Sequence, residues 1–295
     1  MWTSRGSSAG ERLDSLSVCW GNALIVLSKA LYVIVLCISL HRVLLPHVVS
    51  YDEEVYSMRG SRPNILFFLT DDHAAPAIGC YDGRLNQTPN NDAIASGGVR
   101  FNRALVTNSL CAPSRATILT GTYSHINGVT TLDTPIDARQ LTFASLLHDS
   151  GYATAFFGKW HMGHGGVHDP RGFDYWEVFD DQGTYIDPLF HTTNGDVSVE
   201  GYATDVLTDR ALSWLDEQDD DRPWCLLIWH KAPHRPWMPH QRHMDMYSDP
   251  IPVPATFWDN YSGASTPAHK ATMKGCRRLG GRRSQAGSPR RSRLP

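Results

Sequence analysis

Three short apolar runs, each opening directly into a cluster of polar residues, constrain this chain more than any other feature. Asn64 to Thr70 (Asn-Ile-Leu-Phe-Phe-Leu-Thr) leads into Asp71-Asp72-His73. Tyr152 to Phe157 leads into Gly158-Lys159-Trp160-His161, and Trp224 to Trp229 into His230-Lys231-Ala232-Pro233-His234. A continuous apolar run of strand length is the pattern of a strand buried on both faces. Helical patterns lie around 91–97, 114–119, 141–150 and 204–217. Strands alternating with helices predict an α/β sandwich around a largely parallel sheet. Sheets of that kind collect their active-site groups just beyond the C-terminal ends of their strands. No internal repeat interrupts the pattern.

With 295 residues, 19% charged and 41% hydrophobic, the chain has the composition of a soluble globular protein with ample core. Its formal net charge is -3, yet residues 275–295 carry seven arginines and no acid. The body is therefore clearly acidic, which argues against nucleic acid as a partner. Of six cysteines, Cys19 and Cys37 lie in or near an apolar N-terminal segment and Cys276 in the basic tail. Only Cys80 and Cys225 remain as a possible pair beside Cys111, so this is no disulfide scaffold.

Residues 23–49 are mostly apolar, interrupted by Lys29, His41 and Arg42 and preceded by Arg5 and Arg12. This reads as a signal anchor or a signal peptide after a tail of residues 1–22. Its purest run, Ala30 to Leu40, is shorter than the roughly 18–20 residues of a full span, although Lys29 could snorkel. Membrane attachment through this segment, and a place in the secretory pathway or on the periplasmic side, are therefore expected. Residues 50–62 form a charged linker and 63–273 the folded domain. Residues 274–295 lack apolar periodicity and are expected to be disordered.

Cys111 to Gly121 reads Cys-Ala-Pro-Ser-Arg-Ala-Thr-Ile-Leu-Thr-Gly. Pro113 suits a first helical turn, which puts Cys111 at a helix mouth, where free N–H groups favour an anion. Arg115, about one turn on, can point back at the same spot. Asp71 and Asp72 offer adjacent hard oxygens of the kind that bind calcium or magnesium. Lys159 and His161, two apart at a strand end, point to the same side and can reach one oxyanion. His234 follows the third run, with His230, His240 and His243 nearby at spacings that match no standard zinc pattern. His164 and His168 read as loop residues.

Cys-Ala-Pro-Ser-Arg with its later Leu-Thr-Gly, the strand-terminal Asp71-Asp72, and Gly-Lys-Trp-His-Met-Gly together resemble the sulfatase signatures. The resemblance runs from about Pro63 to Met273 and implies an alkaline-phosphatase-like sandwich. It further implies that a formylglycine-generating enzyme oxidises Cys111 to formylglycine, whose hydrate is the nucleophile. By the same resemblance Asp71, Asp72 and residue 111 bind Ca2+, with Mg2+ as second candidate. Arg115, Lys159, His161 and His234 would contact the sulfate, the nucleophile or the leaving group. The text around Gly201–Asp205 and Lys231–Arg235 looks like the branch acting on glycosaminoglycans and N-acetylglucosamine, so the expected substrate is a sulfated carbohydrate or another sulfate ester.

Two later family elements are not found here: an Asp-Asn or Asp-His pair completing the metal shell, and a sulfate-holding lysine. The sequence thus predicts a sulfatase N-terminal domain whose C-terminal part is missing and whose activity is impaired. Alternative readings are a phosphomonoester or phosphonate hydrolase of the same superfamily, and a catalytically dead, membrane-tethered binder of sulfated glycans.

Overall fold

The computed structural model describes residues 24–28, 33–37, 62–83, 85–219, 221–247 and 251. The expected tail 274–295 lies outside them. Contacts divide the chain into Met1–His240 and Gln241–Pro295. In the second unit the described residues hold a 3-10 turn, Gln241–His243, closed by the Met244 N–H donating to the Gln241 carbonyl at 3.1 Å.

Among the described residues the first unit carries nine strands: β1 (Leu24–Ser28), β2 (Val33–Cys37), β3 (Ile65–Leu69), β4 (Val99–Phe101), β5 (Ala153–Gly158), β6 (Tyr175–Phe179), β7 (Leu189–Thr192), β8 (Gly195–Ser198) and β9 (Trp224–Trp229). Its helices are α1 (Pro89–Gly97), α2 (Cys111–Thr120), α3 (Ser124–Asn127), α4 (Phe143–Asp149) and α5 (Ala203–Asp216). One sheet runs in the order β4-β1-β2-β3-β9-β5-β6-β7-β8. Its centre, β3-β9-β5-β6, is parallel, as the three apolar runs predicted. Its margins are mixed: β1-β2, β2-β3, β6-β7 and β7-β8 pair antiparallel, and β1-β4 at one edge pairs parallel.

At two further points the structure adds to the sequence reading. Within residues 23–49, read as a signal anchor or signal peptide, the described residues form β1 and β2, whose Leu-Ile-Val-Leu and Val-Ile-Val-Leu runs have strong strand propensity. No helix among the described residues is long and apolar enough to cross a membrane. The possible Cys80–Cys225 pair is also absent, since both thiols are free. Cys225 sits in the core of β9, where burial pushes its thiol far up.

The period of two along a strand divides the core into two layers. Ile65, Phe67, Leu69, Phe156, Cys225, Leu227 and Trp229 face α2 and α4, through Ala112, Ala116, Leu119 and Leu147. Ala155, Phe157, Leu226 and Ile228 face α5, through Ala203, Leu207, Ala211 and Trp214. β5 is buried throughout, and β9 from Cys225 on. β3 departs from the expectation, since Leu66 and Phe68 on its second face are only partly buried.

Gly158 fixes how β5 hands over to the polar cluster behind it. Its φ is +108°, and an added Cβ would lie 2.1 Å from the Trp229 carbonyl oxygen, which also accepts the Lys159 N–H at 2.7 Å. Gly158→Ala should therefore cost at least about 3 kcal/mol, combining a positive-φ penalty with a backbone clash. Urea unfolding measures this directly; a loss below about 1 kcal/mol would show that the close approach is dispensable.

At the end of β9, His230 stacks on Phe68 with centroids 6.2 Å apart, and its Nδ1 is enclosed without a partner. Burial lowers this imidazole to about 4. A histidine depressed when folded takes up its proton preferentially in the unfolded chain, so stability is retained above about pH 6.5 and lost as pH falls toward 4. The loss attributable to His230 should be at most about 3 kcal/mol. His230→Phe keeps the stack and should flatten that part of the pH–stability curve; an unchanged curve would exclude His230 as its cause.

Candidate active site

The three strand ends meet because β3, β9 and β5 are neighbours in parallel register. The Asp71 N–H donates to the Ala232 carbonyl at 3.1 Å and the His230 N–H to the Leu69 carbonyl at 2.7 Å, tying the first and third polar clusters together. α2 then delivers Cys111 at its first position, with Pro113 in the opening turn and Gly121 ending it at φ +66°. The helix start and proline placement agree with the sequence expectation.

At the centre, Asp71 is fully buried and shared. Cys111 donates its S–H to Asp71 Oδ1 at 3.6 Å, and Arg115 Nη2 donates to Oδ2 at 3.2 Å. The Lys159 ammonium also donates to Oδ2 and lies 3.7 Å from Cys111 Sγ. Arg115 is held from behind, with Nη1 donating to the Lys159 carbonyl at 2.5 Å and its guanidinium 5.2 Å from the centroid of the Trp229 ring. Arg115 and Lys159 are both wholly buried and Lys231 nearly so.

Electrostatics follow from this arrangement. Burial acts to raise the Asp71 carboxyl, but Arg115 and Lys159 outweigh it and hold it below the ordinary range. Asp72 moves up instead, through burial and the adjacent Asp71 charge. Burial and then Arg115 lower the Lys159 ammonium. Burial opposes ionisation of the Cys111 thiol, yet His161 and Lys159 overcome it and lower it.

Asp72 and His161 hold φ of +59° and +55°, a conformation uncommon for side-chain-bearing residues and found disproportionately at functional sites. His161 Nε2 lies 2.9 Å from Gln182 Nε2 and 3.2 Å from Asp181 Oδ1. His234 Nδ1 donates to the Arg235 carbonyl at 2.6 Å, leaving Nε2 as the acceptor, 3.6 Å from Asp72 Oδ2. Burial and then Lys159 lower this imidazole. All seven sequence-predicted residues, Asp71, Asp72, Cys111, Arg115, Lys159, His161 and His234, thus gather around one centre.

Sequence reasoning assigned no role to four further residues there. Gln182 accepts from Lys159 at 2.5 Å, so it joins Lys159 to His161. Asp181 pairs with His161. Lys231 donates to the Gln182 carbonyl at 3.0 Å and lies 5.2 Å from the Tyr185 centroid, and the Tyr185 hydroxyl donates to the His234 carbonyl at 2.5 Å. Lys231 had a signal in its position beside Ala-Pro-His; Gln182 and Tyr185 had none. His240 lies 3.8 Å from Asp205, and His168 Nδ1 donates to the Ile136 carbonyl at 2.6 Å, both away from the centre.

The donors suit a hard divalent cation in part. Ligand atoms of Asp71, Cys111 and His234 lie within 4.8 Å of one another, and Asp72 follows Asp71 in the chain. Calcium takes six to eight oxygens, so these side chains supply only part of a shell.

The sulfatase family model matches residues 63–264. The chain is 44% identical over 216 residues to an N-acetylglucosamine-6-O-sulfatase of Bacteroides thetaiotaomicron, covering 72% of this chain and 38% of that one. It is 34% identical over 202 residues to an ulvan-active sulfatase of Formosa agariphila, covering 64% and 39%. A protein solved in complex with its substrate D-glucosamine-2-N,6-O-disulfate superposes with a TM-score of 0.68 at 43% identity, over 71% of this chain and 42% of that one. The chain spans well under half the length of these relatives. Its fold is accordingly the alkaline-phosphatase-like α/β sandwich of its structural relative. Matched over more than half of its length, through a stretch that contains Asp71, Cys111, Lys159 and His234, the chain belongs to the sulfatase family.

Proposed function

We propose that this protein hydrolyses sulfate monoesters, with a sulfated sugar as substrate and O-sulfated amino sugars as first candidates. The observation that carries this reading is a surplus of buried positive charge. Arg115, Lys159 and Lys231 are buried in one centre, where Lys159 lies 3.7 Å from the Cys111 thiol and Asp71, fully buried, takes hydrogen bonds from Arg115 and Lys159. Buried charges need compensation, and the negative charge of a bound sulfate ester supplies part of it. The name of the 44%-identical relative supports an N-acetylglucosamine 6-sulfate.

Sulfate transfer spreads negative charge over oxygens, so preorganised cations supply much of the catalysis. Arg115 and Lys159 are fixed for that purpose by Asp71, the Lys159 carbonyl and Gln182. Oxidised to formylglycine and hydrated, residue 111 would supply two hydroxyls on one carbon, one to attack sulfur and one whose deprotonation lets sulfate leave. A divalent cation held by Asp71, Asp72 and residue 111, with calcium the first candidate, would add positive charge opposite a sulfate oxygen. His234 can take a proton at Nε2, and Lys159 can donate one beside the leaving oxygen. A formylglycine-generating enzyme is a required partner. The basic residues Arg5 and Arg12 ahead of the apolar residues 23–49 support a place on the extracytoplasmic side.

The test is coexpression with a formylglycine-generating enzyme, peptide mass spectrometry of residue 111, and parallel assays of sulfate and phosphate release. An aldehyde at 111 with calcium-dependent sulfate release from 6-O-sulfated N-acetylglucosamine or an aryl sulfate is expected. A thiol left intact in a host that converts other sulfatases, or phosphate release exceeding sulfate release, would overturn the reading.

A further inference from the structure

We propose that His164, His191 and Asp196 form a second metal site, for zinc or a similar borderline transition ion, separate from the centre at Cys111. Their ligand atoms lie within 4.8 Å of one another. The two imidazole rings are stacked, 3.6 Å between centroids and 10° from parallel, and His191 Nδ1 is 2.7 Å from Asp196 Oδ1. His191 and Asp196 are direct partners in the β7–β8 register, so two ligands stand on one rigid hairpin. The loop after β5 brings the third.

The surroundings also fit a metal rather than a chance ion pair. A metal-bound histidine ordinarily gives its other nitrogen to a carboxylate, which fixes the ring. Here Asp169 Oδ1 lies 3.0 Å from His164 Nδ1, leaving Nε2, and Asp180 Oδ1 lies 3.2 Å from His191 Nε2, leaving Nδ1. Two imidazoles and one carboxylate are donors suited to zinc, unlike the oxygen-rich demand of calcium. To share one ion His191 Nδ1 and Asp196 Oδ1 must part by about 0.6 Å, and the His164 ring, an exposed loop side chain, must turn out of its stack on His191 so that both rings aim a nitrogen at the same point. His164 and His191 also line a cavity of about 390 Å³ whose wall includes His161. An ion held there would therefore lie beside a cavity that His161 also lines.

The experiment is titration of the calcium-loaded chain with Zn2+ by calorimetry, with Co2+ as the spectroscopic probe. His164 and Asp196 are exposed, so His164→Gln and Asp196→Asn should fold, as circular dichroism melting checks. Wild type and Cys111→Ala should each bind one zinc with equal affinity, whereas His164→Gln and Asp196→Asn should each weaken binding about 100-fold. No stoichiometric zinc on the wild type overturns the proposal. So does binding lost in Cys111→Ala but kept in His164→Gln, or binding that survives both exposed-ligand variants.

Discussion

Replacing Cys111 by alanine should reduce sulfate release at least about 10⁴-fold while leaving the fold in place. Removing the nucleophile of a group that acts as a unit costs nearly as much as removing the whole group. The thiol is the atom on which the site converges, 3.6 Å from Asp71 and 3.7 Å from Lys159. Its loss leaves a cavity of one small atom, costing about 1 kcal/mol, and the charge pairs among Asp71, Arg115 and Lys159 remain. Initial rates measured beside a melting curve separate the two effects. Retention of even a tenth of the activity at an unchanged melting temperature would place the nucleophile elsewhere. Lys159→Met should cost less, about 10²–10³-fold, because it removes one oriented cation and not the attacking atom.

Asp71→Asn should be the most destabilising change at the site, by about 3–5 kcal/mol. The amide keeps the shape of the carboxyl but leaves Arg115 and Lys159, both fully buried, without their anion. A buried charge stripped of its partner is the costly case; a pair removed together is far cheaper. Adding Lys159→Met to Asp71→Asn should accordingly restore at least about 1 kcal/mol, the sign of coupling between residues in one network. Urea titrations of the two single variants and the double variant give the coupling energy. Strictly additive losses would mean that the three charges do not act as one cluster.

Much of the centre was legible in sequence because its residues sit where local patterns end. The apolar runs of β3, β5 and β9 appeared at nearly their observed limits, and the helix carrying Cys111 began where Pro113 required. The β6-β7-β8 margin was not foreseen. Leu189–Thr192 and Gly195–Ser198 are four-residue strands, and the second is exposed throughout, so no apolar periodicity announces them. β1 and β2 were hidden for the opposite reason. An apolar segment behind basic residues reads as a membrane or export signal, and only pairing with β3 and β4 shows it as strand.

The sequence by itself determined which side chains stand at the strand ends and at the start of α2, because element type and limits follow from patterns a few residues long. Asp71, Cys111, Lys159 and His234 were nameable on that basis. Only the tertiary structure decided that Lys159 and Lys231 meet Gln182, that Tyr185 bonds the His234 carbonyl, and that His164 stacks on His191. These contacts depend on strand order and register across the whole sheet, which long-range pairing sets and no local pattern encodes.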